Sequence, residues 1–88
     1  MEENQNIAKM YMPKVLHRFR GLTGMSQQQL ADAVGVSKGF ISALEGGRSV
    51  PNLDMLVRLA EALETRPEKL VEAMYEDYLI DMSNNSSV

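Results

Sequence analysis

The stretch QQQLADAVGVSKGFISALEG, twenty residues from Gln27 to Gly46, decides the fold of this chain. It indicates two short helices separated by a tight turn. Gly35 supplies the positive φ that ends the first helix, and Ala31 is the small residue that closely crossing helices need where they touch. Ser26 and Ser37 stand where each helix requires a side-chain cap. The inward-facing apolar residues are Leu30, Ala31 and Val34, then Val36 in the turn, then Ile41 and Leu44. We therefore predict a helix-turn-helix.

The second helix of this pair would expose a face suited to a DNA major groove. Its candidate base-reading residues are Lys38, Gly39, Ser42 and Ala43. Lys38 is the longest of these side chains and would donate to guanine or to a phosphate. Gly39 and Ala43 are nearly bare, so direct readout would depend on Lys38 and Ser42, with Ala43 touching a thymine methyl group. An ordinary helical hairpin without a nucleic-acid role is the alternative.

Candidate phosphate contacts surround that face. Gln27 begins the first helix of the pair, where its amide and the helix N-terminus would bind a phosphate. A solvent-facing glutamine is the alternative. Ser26 and Ser37 are primarily caps, although a cap hydroxyl can also contact a phosphate. Arg48 follows two glycines in the next loop and is either a backbone contact or an exposed arginine. Phe40 would pack against the sugar–phosphate backbone or, equally, against the protein.

A longer part of the chain carries a family pattern. The matching residues are Leu16, Phe19 and Arg20, then MSQQQLADAVGVSKGFISALEGG, VPNLDMLVRLAEALE and PEKL. From Leu16 to Leu70 the chain resembles the phage-repressor (Cro/repressor-type, XRE-type) helix-turn-helix family. The resemblance implies an all-α, compact five-helix DNA-binding domain of transcriptional repressors. It also implies that Arg20 pairs with Glu45, sets the angle of the second helix and directs an N–H towards a phosphate. Arg48 resembles the loop cation that grips the DNA backbone in this family.

The base-reading positions depart from this family pattern. Gly39 and Ala43 occupy positions where such repressors often carry polar, base-reading side chains. This departure favours an alternative function, a protein-interaction module such as an antitoxin or a regulator that sequesters a partner. Salt-dependent binding to duplex DNA would separate the two functions.

Composition excludes several other classes of protein. Eighty-eight residues form one domain. The chain has no cysteine and one histidine, without metal-ligand spacing or a glycine-rich phosphate loop, so we expect no enzyme, no metal and no cofactor. It has no apolar run of membrane-spanning length, and its acidic N-terminus is unlike a signal peptide. We predict a cytoplasmic protein.

The net charge of −3 is distributed unevenly. Residues 7–50 contain six lysines and arginines against two acidic residues, whereas residues 51–88 contain three against eight. A basic half that contains the helix-turn-helix fits a DNA-binding protein, although acidic terminal helices are often simply solvated. Lys14, His17 and Arg18 of the first helix would flank the phosphates. The single histidine is interpreted as a surface residue.

Helix signals divide the rest of the chain. We predict an N-terminal arm over residues 1–12, a domain over residues 13–82 and a flexible tail over residues 83–88. The first helix would span Pro13–Leu22, because proline is best tolerated in a first helical turn. The last helix would begin at Pro67 and end at about Ile80.

This last helix carries more apolar residues than closing the core requires. Val71, Tyr75, Tyr78 and Met82 recur at the spacing of paired helices. A second copy would cover this row, so we predict a homodimer that binds a near-palindromic DNA site. The alternative is that the tyrosines lie against their own domain. The predicted dimerisation residues are Val71, Met74, Tyr75, Tyr78, Leu79 and Met82.

Overall fold

The structure, a computed structural model, describes residues 6–86, with side chains through Asn84. The helices are α1 (Ile7–Thr23), α2 (Gln27–Val34), α3 (Lys38–Glu45), α4 (Leu53–Ala62) and α5 (Pro67–Ser86), and the described residues form no strand. The predicted all-α, five-helix fold is confirmed. α1 packs against α3 and α5, and α4 packs against α2 and α5.

The ends of α2 and α3 are set by the residues that the sequence indicates. The Ser26 hydroxyl accepts a hydrogen bond from the Gln29 backbone N–H at 3.0 Å, and the Gln29 side chain accepts one from the Ser26 N–H at 2.8 Å. This reciprocal arrangement is a capping box. Ser37 caps α3 by accepting from the Phe40 N–H at 3.1 Å. Gly35 ends α2 with φ +88°, a conformation that side chains with a Cβ rarely adopt.

The first helix begins at Ile7, so the prediction that it starts near Pro13 is wrong, and residues 7–12 are helical. Asn6 caps the helix by accepting from the Lys9 N–H at 3.1 Å. Pro13 lies inside α1, where its missing N–H deprives the Lys9 carbonyl of a helical donor. Packing accounts for the extra helix, because Met12 is buried in the core. Residues 1–5 of the predicted arm lie outside the described residues.

The last helix is also longer than predicted, since α5 continues to Ser86 rather than ending near Ile80. No glycine or proline follows Pro67 in the chain, so no backbone signal stops the helix. Residues 83–86 of the predicted tail are therefore helical, and residues 87 and 88 lie outside the described part of the chain.

The core is built entirely from apolar side chains. No polar or charged residue among those described is fully buried. Leu53 and Val57 of α4 are apolar like the buried residues of that helix, but their side chains are exposed to solvent. The buried residues are Met12, Val15, Leu16, Leu30, Ala31, Val34, Ile41, Leu44, Leu56, Leu59, Ala60, Leu63 and Leu70.

One turn holds a strained residue. Glu64, between α4 and α5, has φ +60°, a left-handed conformation that costs a side chain with a Cβ roughly 1 kcal/mol. Glu64→Gly is therefore expected to raise the free energy of unfolding by about 0.5 kcal/mol, measured by urea denaturation. Glu61→Gly, inside α4, is the matched control and should lower it by about 1 kcal/mol. Similar destabilisation by both changes would contradict strain at Glu64.

Candidate nucleic-acid interface

One side of α3 is buried in the core, and this leaves the opposite side, its outer face, towards solvent. Ile41 and Leu44 are buried, so α3 is fixed against the core by one side. On the other side Lys38 and Gly39 are exposed, and Ser42 and Ala43 are half-buried. The structure thus brings the four candidate base-reading residues into one accessible region at α3.

The face near Gly39 is open. A Cβ added at Gly39 would meet only the Ser37 hydroxyl, at 3.8 Å. The Lys38 side chain makes no hydrogen bond or ion pair with any residue in the described part of the chain. Its ammonium group is therefore available to an external acceptor. Phe40, in contrast, packs against the hydrophobic core, which favours its protein-packing role over the predicted contact with sugar–phosphate.

The C-terminal end of α3 is joined to α1 by a bidentate ion pair. Arg20 Nε donates to Glu45 Oε2 at 2.7 Å, and Arg20 Nη2 donates to Glu45 Oε1 at 2.9 Å. The side chains are 14% and 6% exposed, respectively. Such parallel, charge-assisted bonds are among the strong and directional polar contacts in proteins. The pair therefore fixes where α3 ends relative to α1.

Three further groups, the Met25 carbonyl and the side chains of Gln27 and His17, contact this ion pair, and we call the whole cluster the joint. Arg20 Nη1 donates to the Met25 carbonyl at 2.9 Å, just ahead of α2. Gln27 Nε2 donates to Glu45 Oε1 at 3.1 Å, and His17 Nδ1 lies 3.3 Å from the same oxygen. The joint consequently connects α1, the start of α2 and the end of α3. Much of Arg20's donor capacity is used within the protein, which weakens its predicted role as a phosphate contact.

Sequence reasoning missed two members of this joint, His17 and Gln27, as partners of Glu45. One signal was present for His17, which is three residues before Arg20 and so lies on the same side of α1. Gln27 is eighteen residues from Glu45, and no local pattern links them. The side-chain amide of Gln27 therefore donates a hydrogen bond within the protein, and Gln27 begins α2 as predicted.

The electrostatics of the joint favour ionised Glu45. Burial raises the pKa of Glu45, but hydrogen bonds from Arg20, Gln27 and His17 outweigh it and hold that pKa below its usual range. The hydrogen bond to Glu45 also raises the pKa of Arg20. Both charges are therefore stabilised in the folded chain.

The lowered pKa of Glu45 predicts an acid-sensitive joint. A folded-state pKa below the unfolded value, about 4.3, gives stability that is complete above that pH and is lost as pH falls through the folded value. We expect the free energy of unfolding, measured in urea, to fall more steeply below about pH 4.3 in the wild-type protein than in Glu45→Gln. Parallel acid profiles for the two proteins would contradict this assignment.

The cations of α1 are not all available to DNA. Arg18 Nη1 lies 3.5 Å from Asp77 Oδ2 of α5. Lys14 lines a shallow groove between α1 and α5 with Tyr11, Asp77 and Asp81. The prediction that Lys14 and Arg18 flank the phosphates is therefore not supported, because acidic side chains of α5 face them.

The loop after α3 leaves the Arg48 side chain exposed, and its guanidinium makes no hydrogen bond or ion pair with other described residues, whereas the Arg48 backbone N–H donates to the Ala43 carbonyl at 2.9 Å. Its guanidinium lies over Gly46, where an added Cβ would be 2.8 Å from Arg48 Nη1 and 3.1 Å from the Ser42 carbonyl oxygen. A larger residue at Gly46 would therefore displace Arg48. The capping serines, Ser26 and Ser37, are exposed beside the helix starts.

Four of the five large apolar residues exposed on α5 lie along one side of the helix, Val71, Tyr75, Leu79 and Met82, called here the α5 stripe, whereas the fifth, Ile80, lines the groove between α1 and α5. The two other predicted dimerisation residues contact their own domain. Met74 packs against the core, and the Tyr78 ring makes an edge contact with Tyr11, with centroids 5.9 Å apart. Met74 and Tyr78, two of the six predicted dimerisation residues, therefore pack within their own domain.

The described residues provide neither a metal site nor a membrane span. Residues 6–86 contain no cluster of histidine and acidic side chains able to hold a metal ion. None of the helices described is both long and apolar enough to cross a membrane.

Solved structures share this architecture. The clp gene regulator ClgR from Corynebacterium glutamicum superposes with a TM-score of 0.83 at 23% identity, covering 90% of this chain and 84% of that one. At this identity the likeness shows the fold alone. The P22 c2 repressor, solved in complex with a synthetic operator, is 31% identical with a TM-score of 0.65, covering 70% of this chain and 94% of that one.

Sequence comparison identifies the family. An uncharacterised HTH-type transcriptional regulator from Methanothermobacter thermautotrophicus is 40% identical over 52 residues, 59% of this chain and 75% of the relative. The helix-turn-helix family model matches residues 16–70, the same region that carries the resemblance to phage repressors. With the geometry above, these matches confirm that the chain belongs to the helix-turn-helix family of DNA-binding, non-enzymatic transcription regulators.

Proposed function

We propose that this protein is a repressor-like regulator that binds a specific duplex DNA sequence with α3 in the major groove. The observation that carries the proposal is the Arg20–Glu45 pair, which fixes α3 while its outer face stays accessible. A recognition helix must hold its angle to place side chains against base edges. The similar P22 c2 repressor, crystallised with operator DNA, supports this function.

Base readout is assigned to the outer face of α3. Lys38 is its long donor and would bind guanine O6 and N7, while Ser42 would accept or donate at a neighbouring base. Ala43 would contact a thymine methyl group, and Gly39 would let the helix approach the groove closely. With few base contacts, the shape and deformability of the DNA would contribute a substantial part of the specificity.

Phosphate contacts are assigned to the borders of that face. The start of α2 would present the Ser26 hydroxyl and the backbone N–H groups of Gln27 and Gln28, which the capping box leaves unpaired, to one phosphate. Ser37 lies at the start of α3, and Arg48 would bind the backbone from the following loop. Contacts of this kind position the protein without reading sequence. The acidic side chains of α5 would lie away from the DNA.

A pair of variants tests this division of roles. Lys38→Ala should weaken binding to the preferred site by about 1–3 kcal/mol and reduce discrimination against other duplexes. Arg48→Ala should weaken all duplexes alike and lower the slope of log affinity against log salt by about 0.9 per protomer. Fluorescence anisotropy at several salt concentrations measures both quantities.

Arg66→Ala is the control for these variants. It removes an exposed arginine that is paired with Glu68 of α5, and it should leave DNA binding unchanged. Equal effects of Lys38→Ala on preferred and random duplexes would contradict base readout by α3.

We also propose that the protein acts as a homodimer through the α5 stripe. Its four apolar side chains are exposed along one side of α5 and have no place in the core of their own domain. A second copy would cover them by two-fold symmetry. Two recognition helices about 34 Å apart would then read a near-palindrome.

A further inference from the structure

His17 is the single histidine of the chain, and it lies at the solvent side of the joint between α1 and α3. Its side chain is 71% exposed, whereas that of Glu45 is nearly buried. Its Nδ1 atom is 3.3 Å from Glu45 Oε1 and 3.1 Å from Arg20 Nη2. The ring therefore contacts both members of the ion pair from outside.

The protonation state of His17 determines what these contacts are. A neutral ring has one role at Nδ1, either accepting from Arg20 or donating to Glu45. A protonated ring donates at both nitrogens, so Nδ1 bonds Glu45 and Nε2 offers a second N–H to solvent. The Arg20 Nη2–H that faces His17 is then released. The cluster of His17, Arg20 and Glu45 also changes from neutral to a net charge of +1.

The position of this charge is set by all three helices of the joint. Glu45 faces His17 from α3, Arg20 faces it from α1, and Gln27 at the start of α2 bonds the same Glu45 oxygen at 3.1 Å. No other described charged residue makes a hydrogen bond or ion pair with His17. The charge thus lies beside the first residue of α2, where the proposed function places a phosphate.

We propose that His17 is a further DNA-backbone contact, and that its protonated form binds the phosphate at the start of α2. The inference rests on the proposed function. A phosphate stabilises the protonated ring, so DNA binding takes up a proton and affinity rises as pH falls. Because the chain has no other histidine and no cysteine, one substitution at His17 separates this response from those of other side chains.

The test measures the affinity for one duplex at about pH 8 and about pH 6, at fixed ionic strength. Wild-type affinity should rise on the order of three- to tenfold at the lower pH, and its salt slope should steepen by about 0.9 per protomer. His17→Gln should lose both responses. His17→Lys, with a permanent charge, should bind at both pH values about as tightly as the wild type does at the lower one.

Two controls separate this contact from general effects. Lys14→Gln removes a constant charge from α1 and should keep the wild-type response to pH. Circular dichroism at both pH values establishes that each variant is folded, and the α-amino group is common to all of them. The same response in His17→Gln as in the wild type, or none in the wild type, would overturn the inference. Absence of salt-dependent DNA binding at both pH values would instead overturn the proposed function.

Discussion

Glu45→Ala is expected to be among the most destabilising single changes in this protein, lowering the free energy of unfolding by about 3 kcal/mol. The change removes the carboxylate that accepts from Arg20, Gln27 and His17, and leaves the largely buried Arg20 guanidinium without its counter-charge. A small domain has only about 5–15 kcal/mol of stability, so the loss is a large fraction. Urea denaturation of the purified protein measures it.

A second glutamate provides the matched control for this prediction. Glu68 also pairs with an arginine, Arg66, but its side chain is 60% exposed. Exposed pairs contribute little, so Glu68→Ala should cost much less than Glu45→Ala. If Glu45→Ala costs no more than Glu68→Ala, the joint does not stabilise the fold as argued.

The same substitution has a consequence for DNA binding. Without Glu45 the end of α3 is no longer tied to α1 and to the start of α2. We expect the affinity of the still-folded Glu45→Ala protein for DNA to fall, although the loss of one negative charge near phosphate would by itself raise it. An increase in affinity would indicate that charge, rather than the position of α3, dominates at this site.

Leu79→Asp is expected to convert the proposed homodimer into a monomer and to reduce affinity for a full palindrome by about a hundredfold or more, because two linked half-sites bind far more tightly than one. Leu79 belongs to the α5 stripe and is partly exposed in the single chain, so the fold should tolerate the change. Sedimentation at micromolar concentration measures the mass against 9.8 kDa for one chain.

A second exposed leucine identifies the face that pairs. Leu53, on α4, is 80% exposed and lies outside the α5 stripe, so Leu53→Asp should leave the dimer intact. Dissociation by Leu53→Asp but not by Leu79→Asp would move the interface to α4. A wild-type protein that sediments as a monomer would contradict the dimer itself.

Local signals made the helix-turn-helix predictable from sequence. Ser26, Ser37 and Gly35 act on backbone groups within a few residues, so their effect can be deduced without knowing the rest of the fold. The apolar periodicity of α2 and α3 likewise identified buried residues such as Leu30 and Ile41. These features fix the geometry of α3.

Features set by distant contacts were less accessible to sequence reasoning. Pro13 favoured a helix start, yet the burial of Met12 extends α1 through it to Ile7. Arg18 was expected near phosphate, but α5 brings Asp77 to it from 59 residues away. His17 was interpreted as a surface residue, and its side chain is indeed largely exposed. Its contact with Glu45 was not predictable, because that contact depends on how α1 crosses α3.

The most direct test of the central claim, that α3 reads duplex DNA, is selection from random duplexes followed by a salt titration of the selected site. We predict an enriched near-palindromic motif and an affinity that falls linearly in log–log form as salt increases. Lys38→Ala should change the enriched bases, whereas Arg48→Ala should retain them at lower affinity. No enriched motif together with salt-independent binding would contradict the account and favour a protein-interaction role for the same scaffold.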